Sequence, residues 1–179
     1  MKTDNPKQIL RAHAKGLLKT LSAKRKEASS HHAVLELKER LTQLRHVLSF
    51  TSFGNEINLW PLNASLANQK KLCLPHDSFK LFLVESLSHL HPGPKPNLEP
   101  NPSICQEIAF KEIDCILTPA LLFDKRGFRL GFGGGFYDKL LKERRKNALI
   151  LGVGYKEQLY EELLPSEAHD IPVDELLLF

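Results

Sequence analysis

Apolar positions at helical spacing open the chain. Ile9, Leu10, Leu17, Leu18 and Leu21 recur in the rhythm of a helix. Asn5 and Pro6 stand where a cap and a first helical residue belong. On this helix Lys7, Arg11 and Lys15 are four residues apart and share a basic stripe. Ser22 suits the cap of a second helix reaching about Leu44, with a break expected near Ser29-Ser30. The pattern then shortens to strand-like runs at Val47–Thr51, at Lys71–Leu74 before Pro75, at Phe79–Val84, at Ile113–Thr118 before Pro119, at Ala148–Val153 and at Glu175–Leu178. Ile57 to about Gln69, with Pro61 in its first turn, and Phe136 to about Lys146 read as helices. Pro92, Pro94, Pro96, Pro100 and Pro102 crowd the stretch 88–103. Such density predicts a long loop without regular structure, of the kind that is functional or disordered.

Strands alternating with helices predict an α/β fold: one three-layer α/β/α domain with a mainly parallel sheet and N-terminal helices. The 179 residues suffice for such a domain, expected to span 1–179 and to bury roughly 70% of the unfolded surface. Ligands of such sheets bind beyond the carboxyl ends of the strands. The glycine-rich run Arg129–Asp138, RLGFGGGFYD, follows the Ile113–Thr118 strand and stands at that position.

Gly131, Gly133, Gly134 and Gly135 precede a predicted helix, so several N–H groups and the helix N-terminus can face one anion. Arg129 adds a fixed charge able to grip a phosphate. Asp138 can meet phosphates only through a cation, for which magnesium is chemically suited. The competing reading is a plain glycine turn. The P-loop pattern is excluded because Phe136-Tyr137 stands where Lys-Ser/Thr is required. The dinucleotide fingerprint fails because Phe136 takes the place of its last glycine.

LTPALLFDKRGFRLGFGGGFYDKLL closely resembles the signature region of the 5-formyltetrahydrofolate cyclo-ligase (methenyltetrahydrofolate synthetase) family. The resemblance spans nearly the whole chain. Lys7-Gln8-Ile9-Leu10-Arg11 is similar to the family's K-x-x-L-R, Asn55-Glu56-Ile57 to its E-I element and Leu98-Glu99-Pro100 to its E-P element. Gly152-Val153-Gly154-Tyr155, Gln158, Leu164-Pro165 and His169-Asp170 follow its C-terminal pattern in order. Two departures stand out: Phe132 and Phe136 occupy positions where the family often has Tyr, and HPGPKPNLEP replaces a glycine-containing approach to E-P.

The resemblance implies ATP- and magnesium-dependent conversion of 5-formyltetrahydrofolate to 5,10-methenyltetrahydrofolate. It implies an ATP site of Lys7, Gln8, Ile9, Leu10 and Arg11 with Arg129, Leu130, Gly131, Phe132, Gly133, Gly134, Gly135, Phe136 and Tyr137. Glu56 with Phe132, Gly133, Gly134, Gly135 and Phe136 would hold the folate, Asp138 and Asp170 would hold magnesium, and Arg129 would serve catalysis. Read singly, Lys7 and Arg11 also suit a solvated helix face, Glu56 and Asp170 exposed carboxylates, and the two phenylalanines core.

Composition agrees with a globular protein. Hydrophobic residues make up 42% and charged residues 26%, and the formal charge of +4 suits an anionic small molecule or nucleic acid alike. Arg144-Arg145-Lys146 is too short for a nucleic-acid patch and reads as helix-end charge, so no nucleic-acid partner is expected. A folate- or nucleotide-binding module without turnover is the alternative, opposed by the retained charges. Lys71 is a candidate for the folate glutamate tail, and the histidine pairs His31-His32 and His89/His91 are expected at the surface. Cys73, Cys105 and Cys115 suit reduced thiols of a cytoplasmic protein. No secretory or membrane-spanning run is apparent, and a monomer is expected.

Overall fold

The computed structural model describes residues 5–93 and 97–179. Helix α1, Pro6–Thr20, starts as expected: the Asn5 side chain accepts from Lys7 N at 3.0 Å. Helix α2, Ala23–Arg40, is capped by Ser22 and runs without interruption. Its two serines are engaged by donors outside the helix backbone ladder, one from the same helix and one from a distant segment, and so do not compete with that ladder. Ser29 is buried and accepts from Arg25 Nη1, and Ser30 Oγ takes Asn58 N at 3.0 Å.

Strand β1 is Val47–Leu48 only. Ser49 N still donates to Cys73 O at 2.9 Å, and beyond it Asn63, fully buried on helix α3 (Trp60–Asn68), satisfies the chain as it leaves the sheet. Asn63 Nδ2 donates to Phe50 O at 2.9 Å, and Ser49 Oγ donates to Asn63 Oδ1 at 2.7 Å. Helix α3 starts three residues later than expected, behind an Asn58 side chain that accepts from Trp60 N. Strands β2 (Leu72–Pro75) and β3 (Leu81–Leu83) form a hairpin. Pro75 belongs to β2. His76 N bonds to Lys80 O across this hairpin, so the neighbouring Pro75–Leu81 pair is a non-hydrogen-bonded one, where a missing N–H is harmless.

The same rule corrects the expectation of an irregular proline-rich stretch. Strands β4 (Leu90–Pro92) and β5 (Leu98–Pro100) pair antiparallel. Hydrogen bonds join His89 to Asn101 and Gly93 to Asn97, which puts Pro92 and Pro100 in non-hydrogen-bonded pairs. Pro94 and Pro96 lie outside the described residues.

Then come β6 (Gln106–Ile108), β7 (Cys115–Thr118), β8 (Leu122–Asp124), β9 (Arg129–Leu130), helix α4 (Phe136–Lys142), β10 (Leu149–Gly154), β11 (Leu159–Tyr160) and β12 (Glu175–Leu178). Helix α4 stops short of Lys146: Arg144 Nη1 caps Leu141 O at 2.8 Å, and Arg145 turns aside to Asp114.

The main sheet runs β12-β10-β7-β1-β2-β3-β6, and only β3 runs against the others, antiparallel to both β2 and β6. Alternate residues face opposite layers. Val47, Leu72, Cys115, Leu117 and Leu151 pack with α1, α2 and α3, whereas Leu48, Cys73, Ile116 and Ile150 pack with Leu140 and Leu141 of α4. The α/β/α layering follows from that alternation. The crossover through α3 leads from β1 to β2, and that through α4 leads from β7 to β10, in opposite directions along the sheet. Between β1 and β7 lies the switch point where a crevice opens.

All three cysteines are free and buried; burial pushes the Cys73 and Cys115 thiols up to about 12. Among the described residues, no helix is long and apolar enough to cross a membrane.

Candidate active site

A cavity of about 630 Å³ occupies this crevice. Phe50, Thr51, Phe53 and Glu56 enter it from the chain after β1, Pro119 from the end of β7, and Pro75, His76 and Asp77 from the end of β2. The glycine segment reaches it on a hairpin that the sequence reading did not foresee, β8–β9. Asp124, fully buried, holds that turn: its carboxylate accepts from the N–H groups of Arg126, Phe128 and Leu164 and from the Arg126 guanidinium. These donors keep its pKa low despite burial.

Lys7, Arg11, Arg129, Leu130, Gly131, Phe132, Gly133, Gly134, Gly135, Phe136, Tyr137, Glu56, Asp138 and Asp170 all line this one cavity. Gln8, Ile9 and Leu10 do not line it. Residues 7 and 11 share a helix face while the three between them turn away: Gln8 and Ile9 are exposed and Leu10 packs on the core. Lys71 lies at the opposite end of β2 and donates to Thr42 O at 2.7 Å, which removes it from the site.

Arg11 Nε donates to Gly131 O at 2.9 Å and anchors the glycine loop. Gly133 (φ +108°) and Gly135 (φ +62°, the cap of α4) adopt backbone that favours glycine, while Cβ atoms at Gly131 and Gly134 would meet open space. Arg129 is 5% exposed; it donates to Ile171 O and pairs with Asp138, itself about a third exposed, at 2.5 Å. Burial lowers the Arg129 pKa, and Asp138, Tyr137 and Asp170 oppose that shift. Lys7 Nζ lies 2.8 Å from Glu167 and 3.8 Å from Asp170. Its ammonium holds the Glu167 carboxyl below the usual range. Glu167 has no motif of its own, and the sequence reading missed it.

Glu56 is half-buried, and desolvation raises its carboxyl to about 7 although Phe53 N donates to Oε2 at 3.1 Å. Burial also raises Tyr137, with the Glu56 charge adding to the shift. The C-terminal pattern supports this corner from behind. Tyr155 OH donates to Glu56 O at 3.2 Å, and Gln158 Nε2 donates to Ala120 O. Phe132 lies against Phe53, and Phe136 stacks on Phe79, whose φ of +58° is unusual for a bulky residue. Asn97, His76 and the buried Glu99 also line the cavity.

Asp138, beside Arg129, and Asp170, 3.8 Å from Lys7, are two of the carboxylates that line the crevice. Among the described residues no cluster of three metal-ligating side chains exists. Two carboxylates without a closed cage suit magnesium, which keeps water and phosphate oxygens as its other ligands.

The sequence pattern of the 5-formyltetrahydrofolate cyclo-ligase family matches residues 3–178. A 5-formyltetrahydrofolate cyclo-ligase from Haemophilus influenzae is 34% identical over 161 residues, covering 85% of this chain and 84% of its own. One from Escherichia coli is 32% identical, covering 71% and 74%. The solved structure of a 5,10-methenyltetrahydrofolate synthetase from Aquifex aeolicus superposes with a TM-score of 0.84 at 32% identity, over 95% of this chain and 88% of that one. A Mycoplasma pneumoniae structure (TM-score 0.74, 20% identity, covering 96% of this chain and 98% of that one) shares the fold. The chain belongs to the 5-formyltetrahydrofolate cyclo-ligase family.

Proposed function

We propose that this chain, acting as one catalytic domain over 1–179, converts 5-formyltetrahydrofolate to 5,10-methenyltetrahydrofolate with ATP and magnesium, releasing ADP and phosphate. One observation carries the reading. A single crevice joins a cation- and N–H-rich wall (Lys7, Arg11, Arg129 and the glycine loop) to Glu56, a carboxyl held near neutrality. The first wall suits a triphosphate and the second the N–H groups of a reduced pterin.

In the proposed reaction the γ-phosphoryl group passes from ATP to the formyl oxygen, and ADP leaves. Folate N10 then attacks the formyl carbon, the carbon–oxygen bond breaks, and phosphate departs with that oxygen. Closure also frees the N10 proton, and a carboxyl near 7 suits its uptake by Glu56. Arg129 would stabilise charge on the transferred phosphoryl group. Its present bonds to Asp138 and Ile171 O make it a pre-positioned cation. Asp138 and Asp170 would hold a magnesium ion, which supplies neutralisation of phosphate charge. Lys7, paired with Glu167, would turn toward the phosphates at modest cost, because exposed ion pairs are weak.

The site chemistry supports small-molecule partners; a cytoplasmic setting and a monomeric unit belong to the same proposal. Mixing the protein with magnesium, ATP and 5-formyltetrahydrofolate tests the activity: methenyl absorbance should rise, and only when ATP is present. No product at saturating ligand concentrations rejects the reading.

A further inference from the structure

We propose that Glu99, together with the side-chain carbonyl of Asn97, recognises the 2-amino-4-oxopyrimidine ring of the reduced pterin, on the β2 side of the switch point. The inference rests on the proposed function and adds the residues that select the substrate's head group.

Glu99 is 4% exposed yet lines the cavity. Its neighbours satisfy it poorly. Asp77 N lies 3.4 Å from Oε2 and His76 Nε2 lies 3.7 Å from the same oxygen, while no described residue donates to Oε1. Asn97 Oδ1, also on the cavity wall, is enclosed and has no hydrogen-bond partner. Buried acceptors without donors are rare in proteins, and a buried carboxylate needs several. Here an unpartnered side-chain carbonyl and a weakly held, buried carboxylate stand two residues apart on one hairpin.

That hairpin is built around the carboxylate. A Cβ at Gly93 would fall 2.6 Å from Glu99 Cδ, so a larger residue there would push the carboxylate from its place. Gly93 N donates to Asn97 O at 3.0 Å, which fixes Asn97 opposite Gly93. Pro92 and Pro100 stiffen the strands where no N–H is required.

The missing partner must therefore bring donors side by side. A 2-amino-4-oxopyrimidine edge presents N3–H next to the 2-amino group, and both can bond to one carboxylate while a second amino hydrogen remains for a carbonyl acceptor. Adenine does not match: its amino group adjoins the N1 lone pair, which a carboxylate repels. The nucleotide base is thereby kept out of this subsite, and the pterin is directed to it. A hairpin brace made by Glu99 and His76 is the competing explanation, and it makes no distinction among ligands.

The test compares 5-formyltetrahydrofolate with its 2-desamino counterpart, in wild-type protein and in Glu99→Gln, by kcat and KM. Wild type should disfavour the desamino compound by about tenfold to a hundredfold in kcat/KM, mainly through KM, as expected for a bond to a charged group. Glu99→Gln should lose a similar factor on the natural substrate and discriminate little between the two. Asn97→Ala reads the same discrimination if Glu99→Gln does not fold. Turnover with discrimination unchanged in the folded variants overturns the inference alone. Absence of turnover in wild type removes the proposed function, and this inference with it.

Discussion

Glu56→Gln should stabilise this protein at alkaline pH while impairing its reaction. The wild-type carboxyl ordinarily titrates near 4.5 and is raised to about 7 by burial in the crevice. Below 4.5 it is protonated in both folded and unfolded chains and contributes no pH dependence. As pH rises from there through 7, the unfolded chain ionises first, so the folded state progressively loses stability. At 1.36 kcal/mol per tenfold change in acidity, the loss above 7 reaches about 3 kcal/mol at most, and screening by the open cavity reduces it. Glutamine keeps the shape, and its side-chain oxygen can accept from Phe53 N as Glu56 Oε2 does at 3.1 Å. Urea unfolding of both proteins at pH 4 and pH 8 measures the difference. Glu56→Gln should match wild type at pH 4 and exceed it by roughly 1–3 kcal/mol at pH 8. A difference independent of pH, or a variant weaker at pH 8, refutes the reasoning.

Three further substitutions probe the frame around this carboxyl. Gly133→Ala forces a side chain into φ +108° beside Arg11 Cζ at 3.4 Å, and should cost about 1–3 kcal/mol and lower the affinity for ATP, measured by calorimetry. Asp138→Asn should raise the magnesium needed for half-maximal turnover several-fold; an unaltered titration removes Asp138 from metal binding. Gly152→Ala places a Cβ 2.7 Å from Phe123 and 2.9 Å from Leu176, so thermal unfolding should register about 1–3 kcal/mol of destabilisation with KM unchanged.

The parallel centre of the fold was readable because its strands are continuous apolar runs, Cys115–Thr118 and Leu149–Gly154 among them. The proline-rich hairpin was not. Composition shows that an N–H is missing, but only register shows whether the ladder needs it. The short strands β8, β9 and β11 were hidden for a related reason: two or three residues carry no period. At the site, a linear motif treats Lys7 to Arg11 as a block, whereas a helix presents the first and last and turns Gln8, Ile9 and Leu10 elsewhere. Glu167 escaped notice because its role arises from Lys7, 160 residues away. Glu56 and Asp170 could be named from the family pattern, yet the raised pKa of Glu56 depends on walls contributed by distant segments.

The central claim, that the formyl oxygen is the atom phosphorylated, is tested most directly by isotope transfer. With 5-formyltetrahydrofolate carrying oxygen-18 in its formyl group, one turnover with ATP should place one labelled oxygen in the released phosphate. Unlabelled phosphate, with the label appearing in water instead, would contradict the account.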